Sequence, residues 1–386
     1  MRPNKSLVVL PLLLVLTGCF EDSGTSNPAP SYATVAEWTQ TGNATLLGDA
    51  SLATGAIKPR WDSVVDLSTH ATLVRQDLQS ILADWNARRP VASQWEIVAT
   101  DSSDRRGKTH LVRFSVDGII QGGLVWIPKS DKPLPVVLFG HPSDNGINSL
   151  FFTLLRGLLG SLDTQVVVVA PAYRGEPASL AGNSVESDTS KQSPWDRDVD
   201  DGLAFLEASL EQFPSCDPAR IAAVGYSRGA GVSLLSALRD PSIGSVFQIA
   251  GPTDFLAPSL QNIALGLLGD KTYDLPGLDY LNARYLQPFK SGAISADSLR
   301  RVLLRRSAAR WALSGQLPAT QTVHGTADST VNPDQAQALV AADRRVAYLK
   351  IEGMTHSSFL SPASFAQSTA ISNDLQKFLK ANLGLN

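Results

Sequence analysis

At 386 residues the chain can form one large domain or two ordinary ones, and it needs neither disulfides nor a metal to hold a core. Hydrophobic residues at 43% and charged residues at 18% exclude general disorder, and the scatter of 29 Gly and 23 Pro excludes a collagen-like or low-complexity chain. A net charge of −3 argues against nucleic-acid partners, and two cysteines, Cys19 and Cys216, exclude a disulfide scaffold and a multi-thiolate metal site.

In chain order, Arg2 and Lys5 precede an apolar run from Leu7 to Leu16, too short to span a bilayer as a helix. The run ends in Leu16-Thr17-Gly18-Cys19, which resembles the lipobox of bacterial lipoprotein signal peptides. That resemblance implies cleavage before Cys19 and lipidation of its thiol. Residues 1–18 are then a leader, and the mature chain is anchored in the bacterial cell envelope. Phe20 and Glu21 follow where an inner-membrane retention signal would carry Asp, which directs the expectation to the outer membrane. The alternative is an ordinary secretory signal cut elsewhere. A Ser-, Pro-, Thr- and Gly-rich stretch to residue 36 cannot bury a core and reads as a flexible tether.

Residues 37–132 are expected to add an N-terminal helix and the first strands to the core. Leu73, Leu78, Ile81, Leu82 and Trp85 give a helical pattern within Trp61 to Arg89, which Arg89-Pro90 stops. Strand signals follow at Trp95–Thr100, His110–Val116 and Ile119–Ile127, the last two joined through Asp117-Gly118. Pro135–Phe139 and Gln165–Ala170 are continuous apolar runs, as expected for strands buried on both faces of a parallel sheet. Arg220–Val224, Ser245–Ile249, Ala319–Val323 and Val346–Ile351 continue the series, with helices at Val199–Leu210, Gly229–Leu238 and Ser364–Leu379. This βαβ rhythm predicts a doubly wound, mostly parallel sheet with its reactive residues beyond the carboxyl ends of the strands. No internal repeat interrupts it. The charged run Asp196, Asp198, Asp200 and Asp201 reads as a solvated helix start that favours the macrodipole.

Gly225-Tyr226-Ser227-Arg228-Gly229 stands between the strand Arg220–Val224 and the following helix. A serine on so sharp a turn is forced into a strained conformation that lifts its hydroxyl clear of the sheet, which makes Ser227 the candidate nucleophile. The bland alternative is a glycine-rich turn whose serine caps the helix. A serine needs a base, and the base an orienting carboxylate. Of five histidines, His324 and His356 lie after Ser227. His356, in the loop after the last strand, is the candidate base, and His324 points into packing. Asp328, after the penultimate strand, is the candidate acid, with Asp254 as rival.

These segments resemble the α/β-hydrolase superfamily, in particular the catalytic domain of the prolyl oligopeptidase family and its dienelactone-hydrolase-like relatives. Ala172-Tyr173-Arg174-Gly175, Asp217-Pro218-Ala219-Arg220-Ile221, Gly251-Pro252-Thr253-Asp254-Phe255 and His324-Gly325-Thr326-Ala327-Asp328 add to the elbow in carrying the likeness. It implies an α/β-hydrolase fold with a catalytic core over residues 133–386, in which partners follow the serine in the order acid, then histidine. It also implies acyl transfer without metal or organic cofactor on a small ester or short peptide substrate. Two departures stand out. The stretch before the core is too short for the β-propeller of prolyl oligopeptidases. Where relatives carry His-Gly-Gly, this chain has His141-Pro142-Ser143, and Pro142 has no N–H to give an oxyanion. The backbone N–H of Arg228 is therefore the first expected donor, with the Ser143 N–H, a neighbour or the Tyr173 side chain as the second. A helical insertion over residues 255–316 precedes the penultimate strand. Its arginines, Arg300, Arg301, Arg305, Arg306 and Arg310, form either a solvated face or a site for an anionic substrate. Ester hydrolysis is the favoured activity, a prolyl-oligopeptidase-like peptidase the alternative, and a non-catalytic binding module the second alternative.

Overall fold

The computed structural model describes residues 71–88, 90–187, 193–312 and 317–386; Cys19, the leader, the tether and Trp61 lie outside them. A helix, α1 (Ala71–Ala87), leads into three antiparallel strands, β1 (Ser93–Asp101), β2 (Gly107–Val116) and β3 (Ile119–Pro128). Then come β4 (Leu134–Gly140), a short β5 (Ile147–Asn148), α2 (Ser149–Leu158), β6 (Val167–Pro171), and the short β7 (Ala178–Leu180) and β8 (Asn183–Val185). The second half alternates regularly: α3 (Arg197–Gln212), β9 (Cys216–Tyr226), α4 (Arg228–Arg239), β10 (Ile243–Ile249), the insertion, β11 (Ala319–Gly325), α5 (Asp334–Ala342), β12 (Ala347–Ile351) and α6 (Phe365–Leu383).

Among the described residues nine strands make one sheet in the order β1-β2-β3-β6-β4-β9-β10-β11-β12. From β6 onward every neighbouring pair is parallel. The expected doubly wound, mostly parallel α/β-hydrolase sheet is what the chain forms. Successive residues of β6 and of the second half of β9 are all buried, so both faces of these central strands are covered. Helices α3 and α4 pack together, α4 against β4, β9 and β10; α6 packs on α2 and lies against β9, β10 and β11. At the sheet's edge β12 has only half-buried and exposed residues. A three-stranded sheet of β5, β7 and β8 was not expected: strands of two or three residues carry no readable period.

The insertion between β10 and β11 is helical, as expected, with its longest helices at Pro258–Leu268 and Ala296–Arg306. It packs against α1, where Trp85 and Trp311 lie 4.6 Å apart. Its arginines are neither a solvated face nor, as a row, open to an anionic substrate. Arg300 pairs with Asp77 at 2.7 Å, Arg305 with Asp84, and Arg310 with Asp254 at 2.7 Å, while Arg306 donates to the Pro194 carbonyl oxygen at 2.9 Å. Only Arg301, its side chain 43% exposed, keeps substantial contact with solvent among these five. Among the described residues no helix is long and apolar enough to cross a membrane.

Candidate active site

The turn at Ser227 is built by the backbone before any side chain acts. Three elements, β4, β9 and α4, meet so closely there that a Cβ on Gly229 would lie 2.1 Å from the Gly140 carbonyl oxygen, and one on Gly225 would lie 2.3 Å from that of Gly229. Only glycine fits either position. Ser227 takes φ +54° and ψ −124°, a conformation costing on the order of 1–3 kcal/mol for an L-residue. The surroundings impose it: the Ser227 N–H donates to the Ile249 carbonyl oxygen at 2.9 Å, and the Ser227 carbonyl accepts from Ala230 at 3.0 Å. The serine side chain makes no capping bond to the helix it precedes, so the alternative of a simple cap does not describe this turn.

Instead, Ser227 Oγ lies 2.8 Å from His356 Nε2, and His356 Nδ1 lies 2.8 Å from Asp328 Oδ2. The other carboxylate oxygen of Asp328 accepts the N–H groups of Thr330 and Val331 at 3.0 and 2.9 Å. Burial acts to raise the Asp328 pKa, but the imidazoles of His324 and His356 that face it outweigh this and hold it down at about 2. An ionised carboxylate can only accept, so His356 Nδ1 carries the proton and Nε2 is left to accept one from the hydroxyl. Tyr226, directly before the serine, donates its hydroxyl to the His356 carbonyl oxygen at 2.9 Å, tying the histidine loop to the elbow.

The rivals lie elsewhere. His324 is buried on β11, with Nε2 donating to the Val331 carbonyl oxygen at 2.8 Å and standing 3.4 Å from Asp328 Oδ2. It flanks the carboxylate that His356 also uses, a role the sequence did not suggest. Asp254 accepts from the Leu256 N–H at 2.9 Å and pairs with Arg310, away from any histidine.

Behind the elbow lies a cluster that the sequence misplaced. Asp198, Asp200 and Asp201 are fully buried, so this helix start is not the solvated one its composition suggests. Each faces a guanidinium: Asp198 accepts from Arg228 through both oxygens, Asp200 pairs with Arg88, Arg197 and Arg239, and Asp201 with Arg174 at 2.5 Å. Sequence separations of up to 112 residues hide such pairs from any local pattern. Glu176, likewise fully buried, was not singled out; burial pushes its carboxyl up to about 7 although Arg228 Nη1 donates to it at 2.6 Å. His141 stacks on Tyr173 at 4.1 Å, and burial pushes its imidazole down to about 3. The Tyr173 hydroxyl is spent on the His141 carbonyl oxygen at 3.4 Å, within the protein. Ser143 takes a left-handed φ of +60°. The Cys216 thiol is buried and free, its pKa pushed up to about 12. Among the described residues no group of three or more His, Cys, Asp or Glu is arranged to hold a metal ion.

The family model described as "Alpha/beta hydrolase family" matches residues 136–368. No curated protein matches the chain. Among solved structures, acetyl xylan esterase 1 from Thermoanaerobacterium sp. JW/SL YS485 is similar with a TM-score of 0.52 at 16% identity, over 80% of this chain and 93% of that one. The acetyl xylan esterase from Paenibacillus sp. R4 gives 0.52 at 16%, over 80% and 94%. A Mycobacterium tuberculosis puromycin-hydrolyzing peptidase gives 0.50 at 17%, over 73% of this chain and 46% of that one. These likenesses concern the fold. With the family match spanning more than half of its length, from β4 into α6, the chain belongs to the alpha/beta hydrolase family.

Proposed function

We propose that the protein is a serine hydrolase that cleaves carboxylic esters through an acyl-enzyme on Ser227. The observation that carries this is the unbroken hydrogen-bonded chain from Ser227 Oγ through His356 to Asp328 on a strained strand-to-helix turn. His356 Nε2 takes the hydroxyl proton as Ser227 attacks the carbonyl carbon, then gives it to the departing alcohol oxygen. Water repeats the sequence to release the acid. Asp328, kept ionised, holds the imidazole tautomer and stabilises the imidazolium that forms. The Arg228 and Ser143 backbone N–H groups would receive the developing oxyanion. A non-catalytic binding module would have no use for such a chain of proton carriers.

Esters are favoured over peptides because the chain aligns with nearly the whole length of the two acetyl xylan esterases but with under half of the puromycin-hydrolyzing peptidase. Amides are also the harder substrates for one and the same machinery. The test is fluorophosphonate labelling of the full chain, followed by matched turnover of p-nitrophenyl acetate or butyrate and of Gly-Pro and Ala-Pro p-nitroanilides. Ester turnover should exceed amide turnover. Equal rates would move the protein to the peptidase reading.

Cys19 supports a second part of the proposal, lipid anchorage of the mature chain in the bacterial cell envelope. The chain should then partition into detergent, and Cys19→Ser should stay unprocessed or become soluble. Aqueous partitioning of both forms would favour an ordinary secretory signal.

A further inference from the structure

The residue after the candidate nucleophile has two ends with different surroundings. The backbone N–H of Arg228 opens the helix at the elbow, whereas its side chain is 2% exposed and runs back into the protein. There the guanidinium meets three separate segments. Nε and Nη2 donate to Oδ2 and Oδ1 of Asp198, each at 2.9 Å, and Asp198 Oδ2 also accepts the Trp195 N–H at 2.9 Å. Nη1 donates to Glu176 Oε1 at 2.6 Å and to the Ser143 carbonyl oxygen at 3.0 Å. The second oxygen of Glu176 accepts the Gly146 N–H at 3.1 Å. The guanidinium carbon also lies 4.8 Å over the Tyr173 ring, which stacks on His141.

Both ends of the Ser143–Gly146 turn are therefore held by one guanidinium and its carboxylate partner. That turn matters because Pro142 offers no N–H and Ser143, at a left-handed φ, is the next backbone donor. Neither helix nor strand fixes the direction of the Ser143 amide. A buried ion cluster is also no efficient source of stability, since apolar replacements of similar volume often do as well. What the planar fork of arginine supplies, and an apolar side chain does not, is fixed direction at several acceptors at once.

We propose that the Arg228 side chain, anchored by Asp198 and Glu176, is a positioning residue that locks the 143–146 turn against the elbow so that the Ser143 and Arg228 N–H groups converge on one oxyanion. The proposal rests on Ser227 being the nucleophile. The guanidinium acts through the backbone, without touching the reacting atoms.

The test compares wild type, Arg228→Lys, Glu176→Gln and Ser227→Ala as full chains. Readouts are kcat and KM on p-nitrophenyl acetate, melting temperature, and both the end point and the rate of fluorophosphonate labelling. Lysine keeps the charge but cannot span Asp198, Glu176 and Ser143 together. Arg228→Lys should lower kcat and the labelling rate about 100-fold, the loss expected when an oxyanion donor is displaced, while KM and the end point per chain stay near wild type. Glu176→Gln, whose single amide oxygen can accept from Arg228 or from Gly146 but not from both, should move the same quantities in the same direction by less. Should Arg228→Lys lose its labelling end point by failing to fold, Glu176→Gln decides. Normal kcat and labelling rate per labelled site in the folded variants would overturn the positioning role, including where only the end point falls. Ser227→Ala separates the two levels. If it keeps turnover and labelling, the nucleophile reading fails; if it is inert while Arg228→Lys behaves as wild type, only the positioning role does.

Discussion

Two hydrogen-bonded chains of acids and bases start from adjacent residues of the same turn. From Ser227 a chain runs through His356, its side chain 14% exposed, to the buried Asp328. From Arg228 another runs to Asp198 and Glu176, all of them sealed from water. They share elements of construction, charge-assisted bonds at 2.6–2.9 Å ending on carboxylates. They differ in the middle member and in the outlet. An imidazole exchanges protons at ordinary pH and here stands within hydrogen-bond distance of a half-buried hydroxyl, whereas a guanidinium never gives up its proton and here meets only buried partners. The first arrangement can move charge during a reaction, and the second can only hold atoms in place.

The sharpest way to break this contrast is Ser227→Ala. Its kcat should fall by about 10⁶, to background, with the melting temperature near that of wild type. Retained ester turnover would remove chemistry from the first chain altogether. Next in size is Asp328→Asn, which should cost about 10⁴ in kcat by losing the tautomer that only a carboxylate imposes. Asp254→Asn, which touches an ion pair with Arg310 and no histidine, should show itself in melting temperature with kcat retained. The reverse pattern would shift the acid one strand earlier.

The buried ion pairs that do not reach the 143–146 turn should answer with stability alone. Asp201→Ala leaves the buried Arg174 only the exposed Asp117 at 3.6 Å and should cost about 3–5 kcal/mol in urea unfolding, while kcat per titratable site stays unchanged. A kcat loss at full stability would blur the distinction.

The smallest expected effect is in pH dependence, and its sign differs between groups. Asp328, held at about 2, stabilises the fold above the ordinary carboxylate range, and that contribution disappears as pH falls through about 2. Glu176, raised by burial to about 7, favours the fold while protonated, so stability drains away as pH climbs from about 4.5 to 7, on the order of 3 kcal/mol in all. His141, held down at about 3 and 3.6 Å from Glu176, has the opposite slope, its contribution growing as pH rises towards 6.5. The two nearly cancel between about pH 4.5 and 6.5. Glu176→Gln should therefore leave the His141 slope unopposed, and urea unfolding across that range should show stability rising with pH more steeply than in wild type. Parallel curves would mean that Glu176 is ionised throughout.

The legible parts of the molecule have local causes. Continuous valine in β6 and the glycines around Ser227 announce a buried strand and a tight turn, because strand burial and glycine geometry act over a few neighbouring residues. Ser227, Asp328 and His356 were each singled out by position relative to a strand end, and they lie in one hydrogen-bonded chain. The acidic run at 196–201 was misjudged for the complementary reason. Its composition is that of an exposed helix start, and only partners such as Arg88 and Arg228, far away in the chain, make burial tolerable. Glu176 carries no pattern of its own.

Sequence alone therefore determined the order of strands and helices, the parallel sheet and the sharp serine turn, since hydrophobic period and backbone sterics are properties of neighbours along the chain. Tertiary structure alone decided which charges are buried, that Arg300 and Arg305 of the insertion pair with α1, and that the side chain following the serine grips the 143–146 turn. Desolvating a charge is tolerable only when an opposite charge arrives from elsewhere in the fold, and that arrival is fixed by packing.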